Sequence, residues 1–392
     1  MTRSKDTRPV VGSGCDPSAW AVDAVRGLHP YLPGKSISEL EREYGVSDVL
    51  KLASNENPLG VSPAAKAVMA AELEELWLYP DGGGYALRQA LGRLHGVDPS
   101  CLTLGNGSND TLALLAETFL APGREAVFSE YCFAVYPIAT RATGATPVLV
   151  PALPADGPQP LGHDLAAMAE AIGPETRVVF VANPNNPTGT WVQGPELRRF
   201  LEGVPEDVIV VVDEAYCEYA QPLGAPDTSA WLSEFPNLVV SRTFSKAYGL
   251  AGVRVGYAVS SPKIADLLNR LRQPFNVNSL ALKGAEAALA DQAFIERSVR
   301  LNATGLEQLQ AGLAQLGLHA PPSAGNFCLV DLGRPAGPVN EALMHRGVIV
   351  RPVANYGLPN HLRITVGTEA QNARFLDAFA TALADTQEAS CA

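Results

Sequence analysis

No apolar run in this chain approaches the roughly twenty residues a membrane-spanning helix needs, so no helix is expected to cross a bilayer. Cations are in short supply: 29 lysines and arginines face 41 aspartates and glutamates, a formal net charge of −12. That balance argues against nucleic acid or an anionic membrane as a partner, yet a few local arginines can still hold a small phosphorylated substrate. The six cysteines (Cys15, Cys101, Cys132, Cys217, Cys328 and Cys391) lie far apart with no CxxC pair, so neither a disulfide framework nor a zinc site is expected. Reduced thiols in a reducing cytoplasm are the simpler reading. Cys217 follows a candidate site tyrosine, but a buried core thiol is the commoner role for such a residue. None of the six histidines has ligand spacing, and no metal is assigned. Internal repeats, coiled coil and low-complexity tracts are absent. Residues 1–17 are polar, with Arg3, Lys5 and Arg8 and no apolar stretch behind them, and read as a flexible arm and not a signal peptide.

What is there is a globular composition, 47% hydrophobic and 18% charged, over a length that favours two lobes. An N-terminal helix and connector over 18–50 are interrupted by Pro30, Pro33 and Gly34. Ser62 and Pro63 open a helix as N-cap and first residue, expected to run to about residue 76, and a second follows over 86–94. From there short apolar runs alternate with helical stretches: 101–104, 126–128, 147–150, 178–182, 208–212, 238–241 and 255–259 read as strands. Such alternation implies a mostly parallel sheet with helices on both faces. A single long helical run over 285–316 precedes strand signals at 326–331, 348–351 and 362–366. The expectation is an α/β protein with a large domain (62–284) and a smaller α+β domain (18–61 with 285–392).

Three strand ends carry chemistry. The run 178–182 leads into Asn183-Pro-Asn-Asn186-Pro187-Thr-Gly189, where two prolines and a glycine force a turn and leave Asn186 as a fixed polar group. The run 208–212 ends in Asp213-Glu-Ala-Tyr216, and a carboxylate there is costly unless it meets a cation. The run 238–241 leads into Ser241-Arg-Thr-Phe-Ser245-Lys246-Ala-Tyr-Gly249, with Arg254 eight positions after the lysine. In open α/β sheets ligands bind at such carboxyl ends. An uncharged lysine amine there can condense with an aldehyde cofactor, and hydroxyls with an arginine can hold its phosphate. Each segment alone could be an ordinary turn. Together they supply an amide, an acid with a phenol, and a lysine.

This series resembles the fold-type I pyridoxal phosphate (PLP)-dependent aminotransferases. Within them the chain is most similar to the histidinol-phosphate aminotransferases, through Val25-Arg-Gly-Leu-His-Pro-Tyr31, Leu52-Ala-Ser-Asn-Glu-Asn-Pro58, Tyr79-Pro-Asp81, Gly105-Asn-Gly-Ser108-Asn109 and Leu362-Arg363-Ile-Thr-Val-Gly367. The likeness spans residues 25 to 367, and relatives acting on aromatic amino acids share much of it.

The resemblance implies that Lys246 carries PLP, that Asp213 pairs with the ring nitrogen, and that Asn186 and Tyr216 bond the ring's phenolate oxygen. Ser108, Asn109, Ser245 and Arg254 would hold the phosphate, and Phe133 would stack on the ring, although core packing suits that aromatic equally. Tyr79 would reach the cofactor phosphate of a second subunit, implying a homodimer. Arg363, helped by Tyr31 and Arg351, would take the substrate's anionic end, with Asn57, Asn355 and Tyr356 around it. The implied reaction interconverts histidinol phosphate and imidazole acetol phosphate with 2-oxoglutarate and glutamate, in cytoplasmic histidine biosynthesis. Open alternatives are an aromatic amino-acid aminotransferase, a catalytically silent regulator of the same fold, and a PLP decarboxylase, against which the anion-binding Arg363 weighs.

Overall fold

The computed structural model describes residues 16–28 and 34–391. All seven expected strands form and join one sheet: β2 (Leu102–Gly105), β3 (Glu125–Ser129), β4 (Thr146–Val150), β5 (Thr176–Ala182), β6 (Ile209–Asp213), β7 (Leu238–Thr243) and β8 (Gly256–Ser260). They lie in the order β2-β8-β7-β6-β5-β3-β4. Only β8 runs against its neighbours, pairing antiparallel with both β2 and β7.

The near-continuous valine runs of the middle strands are what a sheet covered on both faces demands. Alternation places Val178, Phe180 and Ala182 against the helices Ser108–Phe119 and Val135–Ala142, in a cluster with Leu112, Phe128 and Tyr136. Val179 and Val181 face the opposite layer with Leu197, Phe200 and Leu201. Truncating a fully buried Phe such as Phe180 typically costs about 3–5 kcal/mol, so this stacking fixes strand positions firmly.

The helix opened by Ser62 runs from Pro63 to Glu72 and tightens into a 3-10 turn over Leu73–Glu75, close to its expected end near 76. One helix expectation needs correction. The expected single run over 285–316 is two helices, Ser279–Ala290 and Gln292–Gln315. Asp291 separates them: its backbone is non-helical and its carboxylate accepts from Phe294 N. Ser62 Oγ donates to the other Asp291 oxygen at 2.6 Å, pinning two helix starts together.

A second core holds the C-terminal elements. Here β9 (Phe327–Asp331), β11 (Arg351–Val353) and β12 (Leu358–Thr365) form an antiparallel sheet in the order β11-β12-β9, packed by the helices Ala336–Met344 and Glu369–Cys391. A short strand the pattern did not show, β1 (Leu50–Lys51), pairs parallel with β10 (Val348–Ile349) and ties the segment ahead of the first large helix to this core. Among the described residues no helix is long and apolar enough to cross a membrane.

Candidate active site

Register brings the three strand ends together. Ala182 pairs with Asp213, and Asp213 with Ser241, so the turns that follow β5, β6 and β7 open side by side at one edge of the sheet. A cleft of about 370 Å³ lies there, lined by Ser108, Asn109, Phe133, Asn186, Asp213, Tyr216, Ser245, Lys246, Arg254, Arg351 and Arg363. These eleven expected site residues, drawn from positions 108 to 363, therefore share one cavity.

Asp213 sits at its floor, 4% exposed. Tyr136 donates its hydroxyl to Asp213 Oδ2 at 2.8 Å, while Oδ1 is buried and accepts no hydrogen bond. Burial pushes the carboxyl up to about 6, against the lowering effect of the Tyr136 hydroxyl and the Ala215 amide. An acid so placed is poised for a cationic N–H donor. Tyr136 was not singled out by sequence as a site residue, since any buried aromatic reads as core. It is stacked on Phe180 at 4.7 Å and is the hydroxyl that orients the carboxylate.

Lys246 has its proton affinity lowered to about 8, first by desolvation and then by the Arg363 and Arg254 guanidiniums, with Glu56 and Asp213 opposing. Its Nζ lies 3.3 Å from the Ser54 carbonyl oxygen and 5.6 Å from the centre of the Tyr216 ring. The neutral amine is the nucleophile, and it predominates above the folded-state pKa. Capture of a small aldehyde by cofactor-free protein should therefore rise with pH around an apparent midpoint near 8 and level off above it. A midpoint near that of an ordinary lysine, about 10.4, would remove the desolvation argument.

Opposite Lys246, Tyr216 accepts from Asn55 Nδ2 at 2.9 Å, which leaves the phenol hydrogen to donate into the cleft. Asn55 is a residue the sequence reading passed over in favour of Asn57. It has a left-handed backbone (φ 55), its amide N–H meets Thr365 Oγ1 at 2.9 Å, and Asn326 bonds its carbonyl. Asn186 presents its carbonyl oxygen to Arg363 Nη1, turning its amide hydrogens toward the cavity.

One end of the cleft is built by close packing. The twelve-residue helix Ser108–Phe119 begins at Ser108, and its free N–H groups and positive dipole end suit an anion. Arg254, also left-handed (φ 61), bonds the Ala251 carbonyl at 3.1 Å and approaches Ser245 Oγ at 3.5 Å. Its guanidinium occupies the place a side chain on Gly107 would take, and Gly107 has φ 82. A β-carbon on Gly256 would strike the Ser108 amide. Only glycine at these two positions lets the arginine and the helix start converge.

At the other end Arg363 donates to the Ala53 carbonyl at 2.8 Å and lies 5.4 Å from the centre of the Phe327 ring. Arg351 is its register partner across β11 and β12, and the two are 8% and 6% exposed respectively. Lys51 and Glu56, neither anticipated, also line the cleft.

Behind the site, Glu214 accepts from Arg242 at 2.9 and 2.6 Å and from Thr228 N and Oγ1, and Arg242 reaches Asp227 as well. This buried clamp joins the residue after Asp213 to the strand that delivers Lys246. His95, between Ser229 and Tyr257, is driven down to about 4 by burial and stays neutral in this shell.

Four expected residues are not among those lining the cleft, and a fifth lies outside the described residues. Asn57 does not line the cleft: its amide donates to the Ala247 carbonyl and Ser298 Oγ, bracing the loop behind Lys246. Tyr356 is not among the lining residues but is buried with Val353, Leu358 and Tyr131, within electrostatic reach of Tyr216, and its neighbour Asn355 is exposed outside the cleft. Tyr79 is 82% exposed, outside the cavity, stacked on Phe275 at 4.8 Å. Tyr31 lies outside the described residues.

These residues fit a phosphorylated pyridine aldehyde. The buried Asp213 oxygen without a partner suits the ring N–H, the Tyr216 and Asn186 donors suit a phenolate, and the cradle of Gly107, Ser108 and Arg254 suits a phosphate.

Comparison with known proteins gives consistent results. A family model described as aminotransferase class I and II matches residues 47–379. Histidinol-phosphate aminotransferase 2 of Pseudomonas fluorescens Pf-5 is 57% identical over 368 residues, 93% of this chain and 98% of that protein. Histidinol-phosphate aminotransferase 2 of Methylococcus capsulatus is 58% identical over 363 residues, 93% and 97% of the two chains. A crystal structure of histidinol-phosphate aminotransferase from Sinorhizobium meliloti, in complex with pyridoxal-5'-phosphate, superposes with a TM-score of 0.85 at 28% identity, covering 96% of this chain and 99% of that one.

Proposed function

The chain belongs to the class I and II aminotransferases, and from that membership we propose that it moves the amino group of histidinol phosphate to 2-oxoglutarate, with PLP as cofactor, in histidine biosynthesis. The observation that carries the substrate is the buried pair Arg351 and Arg363, register partners in the same cleft as Lys246. Two guanidiniums in one cleft suit a dianionic phosphate ester better than a single carboxylate.

PLP supplies, when bound, an electron sink for the electron pair left as the substrate Cα–H bond breaks. Lys246 would hold the cofactor aldehyde, and its Nζ, when free, would take the substrate Cα proton and return it, a role for which an amine near pKa 8 is matched to neutral pH. Asp213 Oδ1 would face the ring nitrogen, with the carboxylate's rotation fixed by Tyr136. Tyr216, supported by Asn55, and Asn186, supported by Arg363, would donate to the ring oxygen. Ser108, Asn109, Ser245 and Arg254 would hold the phosphate, and Phe133, which lines the same cleft, would pack against the ring. Both half-reactions use the same side chains, so the kinetics are ping-pong.

A homodimer belongs to this reading. Trp77, Tyr79 and Tyr85 are 81%, 82% and 70% exposed, beside Leu76, Leu78 and Phe275, an apolar patch of the kind that a second subunit covers. Tyr79 would then complete the partner's phosphate site. A monomer in sedimentation at micromolar concentration would remove that role. Residence in the cytoplasm is supported by free thiols at Cys101, Cys132, Cys217 and Cys328.

Purified enzyme should favour histidinol phosphate over phenylalanine by about a hundredfold or more in kcat/KM, because a single carboxylate satisfies the arginine pair less fully than a phosphate and the phenyl ring offers no polar group at the side-chain end. Preference for phenylalanine would establish the aromatic aminotransferase reading instead.

A further inference from the structure

An amino-group transfer between histidinol phosphate and 2-oxoglutarate sets one cavity two incompatible tasks. With the anionic end and the reacting carbon fixed by Arg363 and Lys246, the remaining arm is an imidazole in one substrate and a carboxylate in the other. One wants a hydrogen-bond acceptor, the other a cation, and a single rigid group cannot serve both.

Lys51 and Glu56 supply one of each. Lys51 Nζ and Glu56 Oε1 are 2.6 Å apart, their side chains are 22% and 44% exposed, and both line the cleft with Arg351 and Arg363. The short stretch between them runs through the heart of the site. Lys51 is registered on Ile349 in β10, two residues before Arg351. The Ala53 carbonyl accepts from Arg363, the Ser54 carbonyl from Lys246, and the Asn55 amide supports Tyr216. Its backbone is held from the C-terminal core by Thr365 and Asn326. Glu56 also acts on Lys246: its carboxylate favours the ammonium form, which places it within electrostatic reach of the reacting amine. A partly exposed ion pair of this kind is held weakly, so either member can change partners at little cost.

We propose that the Lys51–Glu56 pair is the subsite for the substrate arm, Glu56 accepting the imidazole N–H of histidinol phosphate and Lys51 binding the distal carboxylate of glutamate or 2-oxoglutarate. Opening the pair for one substrate leaves the other member facing solvent at the cleft mouth, where it is hydrated. The proposal rests on the reaction read above.

The test measures the two half-reactions separately, by the cofactor's absorbance change in single turnovers with histidinol phosphate alone and with glutamate alone. Glu56→Gln, isosteric and partly exposed, should lower the apparent second-order rate for histidinol phosphate by roughly tenfold or more relative to that for glutamate, since a bond to a charged acceptor is replaced by a weaker one. Lys51→Met should move the same ratio by a similar factor in the opposite direction. Cofactor absorbance and melting temperature confirm that both variants are folded. Opposite shifts support the subsite. Wild-type turnover of histidinol phosphate together with a ratio that neither variant moves, or that both move the same way, overturns the subsite alone. Wild-type enzyme that leaves histidinol phosphate untouched overturns the functional reading, and the subsite with it.

Discussion

Lys246→Ala is expected to abolish multiple-turnover amino-group transfer. Two losses combine: the amine that carries the cofactor aldehyde, and the base that handles the Cα proton, the second alone worth about 10²–10⁴-fold. Lys51 is the other lysine lining the cleft. The groups proposed to hold the phosphate, Ser108, Ser245 and Arg254, remain, so the variant should still bind PLP, with the absorbance of a free aldehyde and not of a lysine-bound one. Activity near wild type would show that another amine does the work.

Asp213→Asn is expected to lower kcat by roughly 10²–10³-fold or more, the scale on which a preorganised charge at a reacting centre contributes. The substitution is a clean one. An amide oxygen can still accept from Tyr136, so the local packing survives, but the group facing the ring nitrogen loses its negative charge. Stability gives an independent readout in cofactor-free protein. The folded carboxyl titrates near 6 and the unfolded one near 3.8, so the folded state binds more protons in between and wild type loses stability as pH rises through that window. The asparagine variant should lack that loss. Near-normal kcat would mean that some other group pairs with the ring.

Much of this architecture was legible because it is local. The valine runs of β5, β6 and β7 declare buried strands by length and period, and the turn residues behind them mark where each strand stops. Ser62 before Pro63 marks a helix start by capping chemistry. The break at Asp291 was missed because its helices flank it with unbroken helical spacing, and one aspartate is a weak stop signal until its carboxylate is seen capping Phe294. Strand β1 was missed because two residues carry no period; it exists by virtue of pairing with β10, about three hundred positions later.

The same division runs through the site. Asn186, Asp213, Tyr216 and Lys246 stand out in the linear chain because each lies at or just past a strand end and has a chemical type that an apolar strand does not tolerate idly, and Arg254 stands out by its spacing of eight from Lys246. Asn55, Tyr136, Lys51 and Glu56 do not. Asn55 meets Tyr216 across 161 positions and the Thr365 hydroxyl across 310, and Tyr136 meets Asp213 across 77. Order along the chain specifies which groups arrive at the sheet edge, since periodicity and turn chemistry act over a few residues. Which group supports, orients or pairs with which is settled when strands lock in register and a loop is threaded between two cores, because hydrogen bonds select partners by distance in space and not by separation in sequence.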